Sequence, residues 1–151
     1  MFKKIFFGLF VFMMIIPNFV SASANSTAMV GGKYYDSFEE AVKAAGSDDI
    51  VKLISDVKLD DTFVINKTVN IDLNGNDITA PSNVFKVKGG VLNVSGTGVI
   101  RETEPNYGAI TVIGSDKVSD SNYSIVNVGK DVKLEGWSGI FITHDSNSRM
   151  E

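Results

Sequence analysis

Residues 69–79 (VNIDLNGNDIT) are answered by residues 91–101 (VLNVSGTGVIR), each a short alternating run, a polar turn holding glycine and a second short run. Superposing Gly75 on Gly96 lays Ile71 and Leu73 over Leu92 and Val94, and Ile78 over Val99. A unit this short cannot bury its own apolar face. Recurring at a spacing of about twenty residues, it buries that face by stacking on its neighbours. The expected class is therefore all-β, built as a β-solenoid.

Three strand series extend the repeat. The first holds Phe63/Ile65, Phe85/Val87, Ile110/Val112 and Ile140/Ile142, with steps of 22, 25 and 30 residues. Members of each pair lie two apart and so share one face of a strand. The second series holds Ile71/Leu73, Leu92/Val94 and Val126/Val128; the third holds Ile78, Val99 and Val132/Leu134. The steps lengthen because residues 102–107 (ETEPNY) and 114–122 (GSDKVSDSN) are polar, turn-rich segments that loop out without disturbing the stack. A rival register aligns Gly75, Gly96, Gly114 and Gly136 and moves only the insertions. The first register is preferred because residues 107–112 (YGAITV) match residues 137–142 (WSGIFI) class by class.

Ahead of the strands, Ser37 with Glu40 forms a capping box, and Phe38, Ala41, Val42 and Ala45 share one helical face before Gly46 stops the helix. Residues 33–49 are read as a capping segment that lays this face over the first coil, residues 25–32 as a flexible leader and residues 50–143 as the coils. No polar cap follows the last coil, so end-to-end self-association is expected, with residues 144–151 a disordered or truncated tail.

Residues 1–24 are read as a secretory signal peptide. Lys3 and Lys4 precede an apolar stretch interrupted only by Gly8, Pro17 breaks it, and Ala22-Ser23-Ala24 offers the cleavage site. The stretch is short of the roughly 20 residues that span a bilayer, so no membrane span is expected after cleavage. Loss of Lys3 and Lys4 leaves 12 basic against 18 acidic residues, a formal charge of −6. That balance argues against a nucleic-acid partner, which clustered Lys and Arg would serve. The absence of cysteine excludes disulfides, thiolate metal sites and a lipidated cysteine.

Candidate chemistry is sparse. The outward column of the first series, Val64, Lys86, Thr111 and Phe141, holds no carboxylate; that of the second, Asp72, Asn93 and Asn127, holds one, too few for Ca²⁺, and reads as solvated side chains, with a polar ladder on the outer face as the alternative. Asp48-Asp49 and Asp60-Asp61 sit at strand boundaries, where Asp serves turn geometry. His144, the only histidine, has no nucleophile in a recognisable setting. No catalytic, cofactor or metal residue is expected. Tyr107, Tyr123, Trp137 and Phe141 instead fall at turns or on an outward position beside the long loops, where they either stack on sugar rings or tighten successive turns. An acidic surface suits a neutral glycan better than an anionic one.

The order GKYYDSFEEAVKAA, DIVKLISDVKL, FVINKTVNIDLNGNDIT, then VFKV, VLNVSGTGVI and GAITV resembles the N-terminal portion of pectate-lyase-like surface proteins of bacteria. The resemblance implies a right-handed parallel β-helix with an N-terminal capping helix, a secreted or cell-surface location, and a longer protein with further coils. It is specific for architecture rather than activity, because such folds serve as adhesins, carbohydrate binders and polysaccharide lyases or hydrolases. The expected function is adhesion or glycan binding to a host or cell-surface ligand, without catalysis. The alternatives are the leading part of a lyase or glycoside hydrolase whose catalytic coils lie elsewhere, and a structural stalk or truncated gene product.

Overall fold

The computed structural model describes residues 25–104, 106–114 and 123–144. Residues 1–24, expected as a signal peptide, and residues 105, 115–122 and 145–151 lie outside the described residues.

The described chain is mostly β, in parallel sheets. After an N-terminal hairpin, β1 (Ala28–Val30) and β2 (Lys33–Tyr35), and one helix, α1 (Phe38–Ala44), it visits three sheets in rotation. The first circuit is β3 (Ile50–Leu53), β4 (Val57–Lys58) and β5 (Phe63–Ile65); the second is β6 (Thr68–Asp72), β7 (Ile78–Ala80) and β8 (Phe85–Lys88). The third is β9 (Val91–Ser95), β10 (Gly98–Glu102) and β11 (Gly108–Gly114), and the last is β12 (Ile125–Val128), β13 (Val132–Glu135) and β14 (Ser138–His144). One sheet stacks β3, β6, β9 and β12, the second β4, β7, β10 and β13, and the third β5, β8, β11 and β14, all parallel.

The third sheet has the register read from sequence: Phe63 lies against Phe85, Phe85 against Ile110, and Ile110 against Ile140. Gly108 opposite Ser138 rules out the glycine-based alternative at this end. In the first sheet the reading is corrected by two residues, since Val69 and Ile71, rather than Ile71 and Leu73, stack on Leu92 and Val94. Gly75 and Gly96 are not equivalent, because Gly75 donates to Thr97 O and the chain between β6 and β7 follows a different path. At Gly98, with φ +154, a side chain would collide with Asn76 O, so glycine is required where two circuits touch at a corner. In the second sheet Ile100, not Val99, lies on Ile78 and is fully buried.

The corrected register reassigns the outward column. Asn70, Asn93 and Asn127 stand over one another, while Asp72 faces Ser95. The three asparagine side chains bond to each other instead of being merely solvated. Asn127 Nδ2 donates to Asn93 Oδ1, and Asn93 Nδ2 to Asn70 Oδ1, each at 2.7 Å. Asn70 Nδ2 in turn donates to the carbonyls of Ser47 and Asp49. An amide is suited to such a column because it both donates and accepts along the stacking direction. On the second sheet Glu135 sits 2.5 Å from the charged nitrogens of Arg101 and Lys133. Lys133 first, then Arg101, holds its carboxyl below the usual range. The folded value is depressed, so whatever this clasp contributes is present at neutral pH and fades as pH falls through the carboxylate range.

The leading end is closed. Ser37 Oγ accepts from Glu40 N at 3.1 Å, as the capping box requires, and Phe38, Ala41 and Val42 are buried. Phe38 meets Phe63 at a ring separation of 5.3 Å and Phe85 at 6.1 Å, joining the helix to two circuits. Lys67 Nζ donates to Val42 O at 2.7 Å and Ala45 O at 2.9 Å, placing positive charge at the negative end of the helix. Residues 25–32, expected as a flexible leader, instead carry β1, which pairs antiparallel with both β2 and β3. Ala28 and Val30 are buried there, which pins the strand.

Urea midpoints should order three substitutions. Ile71→Ala removes a fully packed side chain and should cost about 2 to 4 kcal/mol. Asn93→Ala leaves Asn70 Oδ1 and Asn127 Nδ2 without their shared partner at a half-buried site and should cost about 0.5 to 1.5 kcal/mol. Val64→Ala, at an exposed outward position, should stay within about 0.5 kcal/mol. Matching midpoints for Asn93→Ala and Val64→Ala would show that the amide column contributes nothing.

Candidate functional site

Four aromatics were singled out from sequence, and the structure brings three of them together. Tyr107, at the turn before β11, and Trp137 and Phe141, before and within β14, line a groove of ≈ 280 Å³ on the outer face of the third sheet. Asn83 and Lys86 bring an amide and an ammonium to the same groove. Thr111 is buried although its register is outward, between Lys86 and Phe141 in the column. Tyr123 is not part of this groove; it lines a separate depression with Lys67, Thr68 and Ile125.

The exposure of these rings is what sets them apart from the core. Trp137 is 70% exposed, which is unusual for a side chain whose area normally favours burial. It meets Phe141 edge-on at a ring separation of 6.5 Å. Phe38, Phe63 and Phe85, by contrast, lie inside the stack or against its leading end. A larger depression between β2 and α1 is lined by Tyr34 and Tyr35 together with Lys33, Asp36, Glu40 and Lys43, and Lys33 Nζ already sits 5.0 Å over the Tyr35 ring.

Glu102 organises the groove, and sequence reading missed it. The 102–107 segment was expected to loop out as a polar turn, yet Glu102 ends β10 with only 6% exposure. Its Oε1 accepts from Asn106 N at 3.2 Å and Tyr107 N at 3.3 Å, and its Oε2 accepts from Trp137 N at 3.2 Å. Trp137 N also donates to Tyr107 O at 2.9 Å. One carboxylate therefore ties together the backbones that carry two of the three rings. Gly136 permits the approach, because a Cβ there would lie 2.7 Å from Glu102 Oε2 and 3.1 Å from Tyr107 O. The available signal was an acid at a strand end followed by a Pro-Asn turn, a pattern equally common on solvated loops.

Several of the remaining aspartates serve turns. Asp49 Oδ2 accepts from Gly46 N, and Asp61 Oδ1 from Thr62 N and Ser82 Oγ. Asp56 accepts from Asp77 N and Asp77 from Val99 N, so each aspartate secures the corner of the next circuit. His144 closes β14 opposite Gly114. Among the described residues no cluster of three or more His, Asp or Glu is placed to hold a metal ion, and no helix is long and apolar enough to cross a membrane. Comparison with protein-family models, curated proteins and solved structures finds no match to this chain.

Glu102→Gln keeps the side chain's shape but turns an N–H donor toward one of the three backbone donors. It should destabilise the fold by about 1 to 3 kcal/mol and change the emission of Trp137, the chain's single tryptophan. Unchanged emission together with an unchanged urea midpoint would show that Glu102 does not position the groove.

Proposed function

We propose that this chain is an exported, non-enzymatic glycan-binding module displayed at the bacterial surface, and that its circuits close into a right-handed parallel β-helix of the pectate-lyase-like kind. Support for the closed helix comes from the rotation of successive strands through three sheets, joined by crossovers that are right-handed in about 98% of parallel connections. The hairpin and α1 form its leading cap. Export rests on the signal peptide read at residues 1–24.

The observation that carries the binding reading is the groove of Tyr107, Trp137 and Phe141. Sugar rings present apolar C–H faces ringed by hydroxyls, and they are held by flat aromatic surfaces beside amide and hydroxyl groups. Trp137 and Phe141 supply the surfaces; Asn83 and Lys86 supply the polar partners. The acidic balance of the exported chain disfavours polyanions and leaves neutral saccharides as the better ligand class.

Titration of Trp137 emission with a panel of neutral and acidic oligosaccharides tests the proposal. A neutral oligosaccharide should shift the emission saturably, and calorimetry should show binding weakened on the order of tenfold or more in Trp137→Ala but unchanged in Tyr123→Ala. Equal binding by Trp137→Ala, or loss of binding in Tyr123→Ala, would overturn it.

A further inference from the structure

The two ends of the stack are built differently. At the leading end α1 lies over the first circuit, and β1 adds to β3 as an antiparallel neighbour. At the other end, among the described residues, no strand pairs with the outer edges of β12, β13 and β14. The inward column there is aliphatic throughout: Val126, Val128, Val132, Leu134, Ile140 and Ile142. Ile110, one circuit earlier in the same column, is fully buried, whereas Ile140 is 42% and Ile142 74% exposed. Edge amides beside an apolar plate form a template for further strands.

We propose that the occupant of this end is a second copy of the chain, docked by the same face about a two-fold axis. A head-to-tail stack would set the plate against α1 and the hairpin, which offer no matching set of three edges. The face-to-face arrangement matches edge by edge. An axis through the corner at Lys130 and the middle of β14 at Phe141 pairs β14 with its own copy, and β12 of one protomer with β13 of its partner. Reversed pairing centred on Phe141 sets Ile140 of one copy against Ile142 of the other. Reversed pairing centred on Lys130 sets Val126 against Leu134 and Val128 against Val132. β12 and β13 are each four residues long, so neither strand overhangs. Every inward residue meets an inward residue, as the alternation of strands demands. The first sheet already accepts an antiparallel terminal strand in β1. Lys130, close to the axis, is paired with Asp131 of its own chain, which offsets repulsion between the two lysines.

The arrangement joins the two third sheets through β14, bringing the two Phe141-lined grooves to adjacent positions on one face. On the glycan-binding reading, which this consequence alone depends on, the dimer is bivalent and gains avidity for a repeating chain.

Sedimentation velocity of the exported chain over a wide concentration range, without saccharide, tests the assembly independently of binding. The expected result is a mass that doubles and then stops. A monomer at every concentration, or a mass that grows beyond two copies, overturns the proposal. Ile142→Lys, at a side chain too exposed to be needed for folding, should weaken dimerisation at least tenfold with an unchanged circular-dichroism spectrum. Val64→Lys, on the outward face, should not. A dimer of undiminished strength in Ile142→Lys overturns the proposed face. Hydrogen exchange adds a readout on the unaltered chain: the β14 amides on the outer edge, which do not face β11, should become protected as concentration rises. Protection of those amides at all concentrations would mean that another segment of the same chain covers the plate, and would also overturn the proposal.

Discussion

Hydrogen bonding between the backbones of successive circuits is the constraint on which the rest of this structure depends. A parallel pair sets residues of equal position over one another, so each sheet is a set of columns and each column must tolerate its own repetition. Aliphatics satisfy this inside, as Ile71 on Val94 on Val128. Outside, repetition is harder, since like charges in a column repel. The Asn70, Asn93 and Asn127 column resolves this with a group that complements its own copy. The column of Val64, Lys86, Thr111 and Phe141 resolves it by mixing residue types, and that mixture makes the groove floor chemically varied.

The third sheet and the helix were legible in the sequence because their signals are local. Two residues of spacing fix a strand face, and Ser37 with Glu40 fixes a helix start. Superposing Gly75 on Gly96 displaces the first sheet by two residues because the backbones around them follow different paths: Asn74, with φ 50, and Gly75, with φ +87, turn one corner, while Gly96 and Gly98 turn the next. A shift of two keeps every inward residue inward, so alternation cannot detect it. The shift of one at Val99 was detectable in principle, as it moves Ile100 to the outside. Residues 25–32 read as a leader because a three-residue strand made of Ala28, Met29 and Val30 carries too little pattern to stand out.

The groove shows the same division. Aromatic residues near loops could be read from the sequence, but not which of them would meet. Tyr107 and Trp137 lie thirty residues apart and are joined by the third-sheet step that separates Ile110 from Ile140. Tyr123 looked equivalent and is carried elsewhere, ahead of β12 in the first sheet. Glu102 was invisible because, although Asn106 N and Tyr107 N come from the turn that follows it, its third donor, Trp137 N, reaches it only after the next circuit has stacked. A buried carboxylate is tolerable when each oxygen accepts such bonds, and that requirement makes the groove a product of the stack.

Register is thus the claim from which column, corner and groove follow, and paired cysteines test it directly in a chain that has none of its own. Asp72 lies opposite Ser95 in the structure, but would lie opposite Asn93 if Gly75 and Gly96 were superposed. Directly opposed residues on neighbouring strands are about 4.8 Å apart and diagonal ones about 8 Å, on either side of the limit of about 7 Å for closing a disulfide. Mild oxidation followed by free-thiol titration should therefore show Asp72→Cys with Ser95→Cys losing both thiols, and Asp72→Cys with Asn93→Cys keeping them. Closure of the second pair in preference to the first would contradict the register and, with it, the account of the groove.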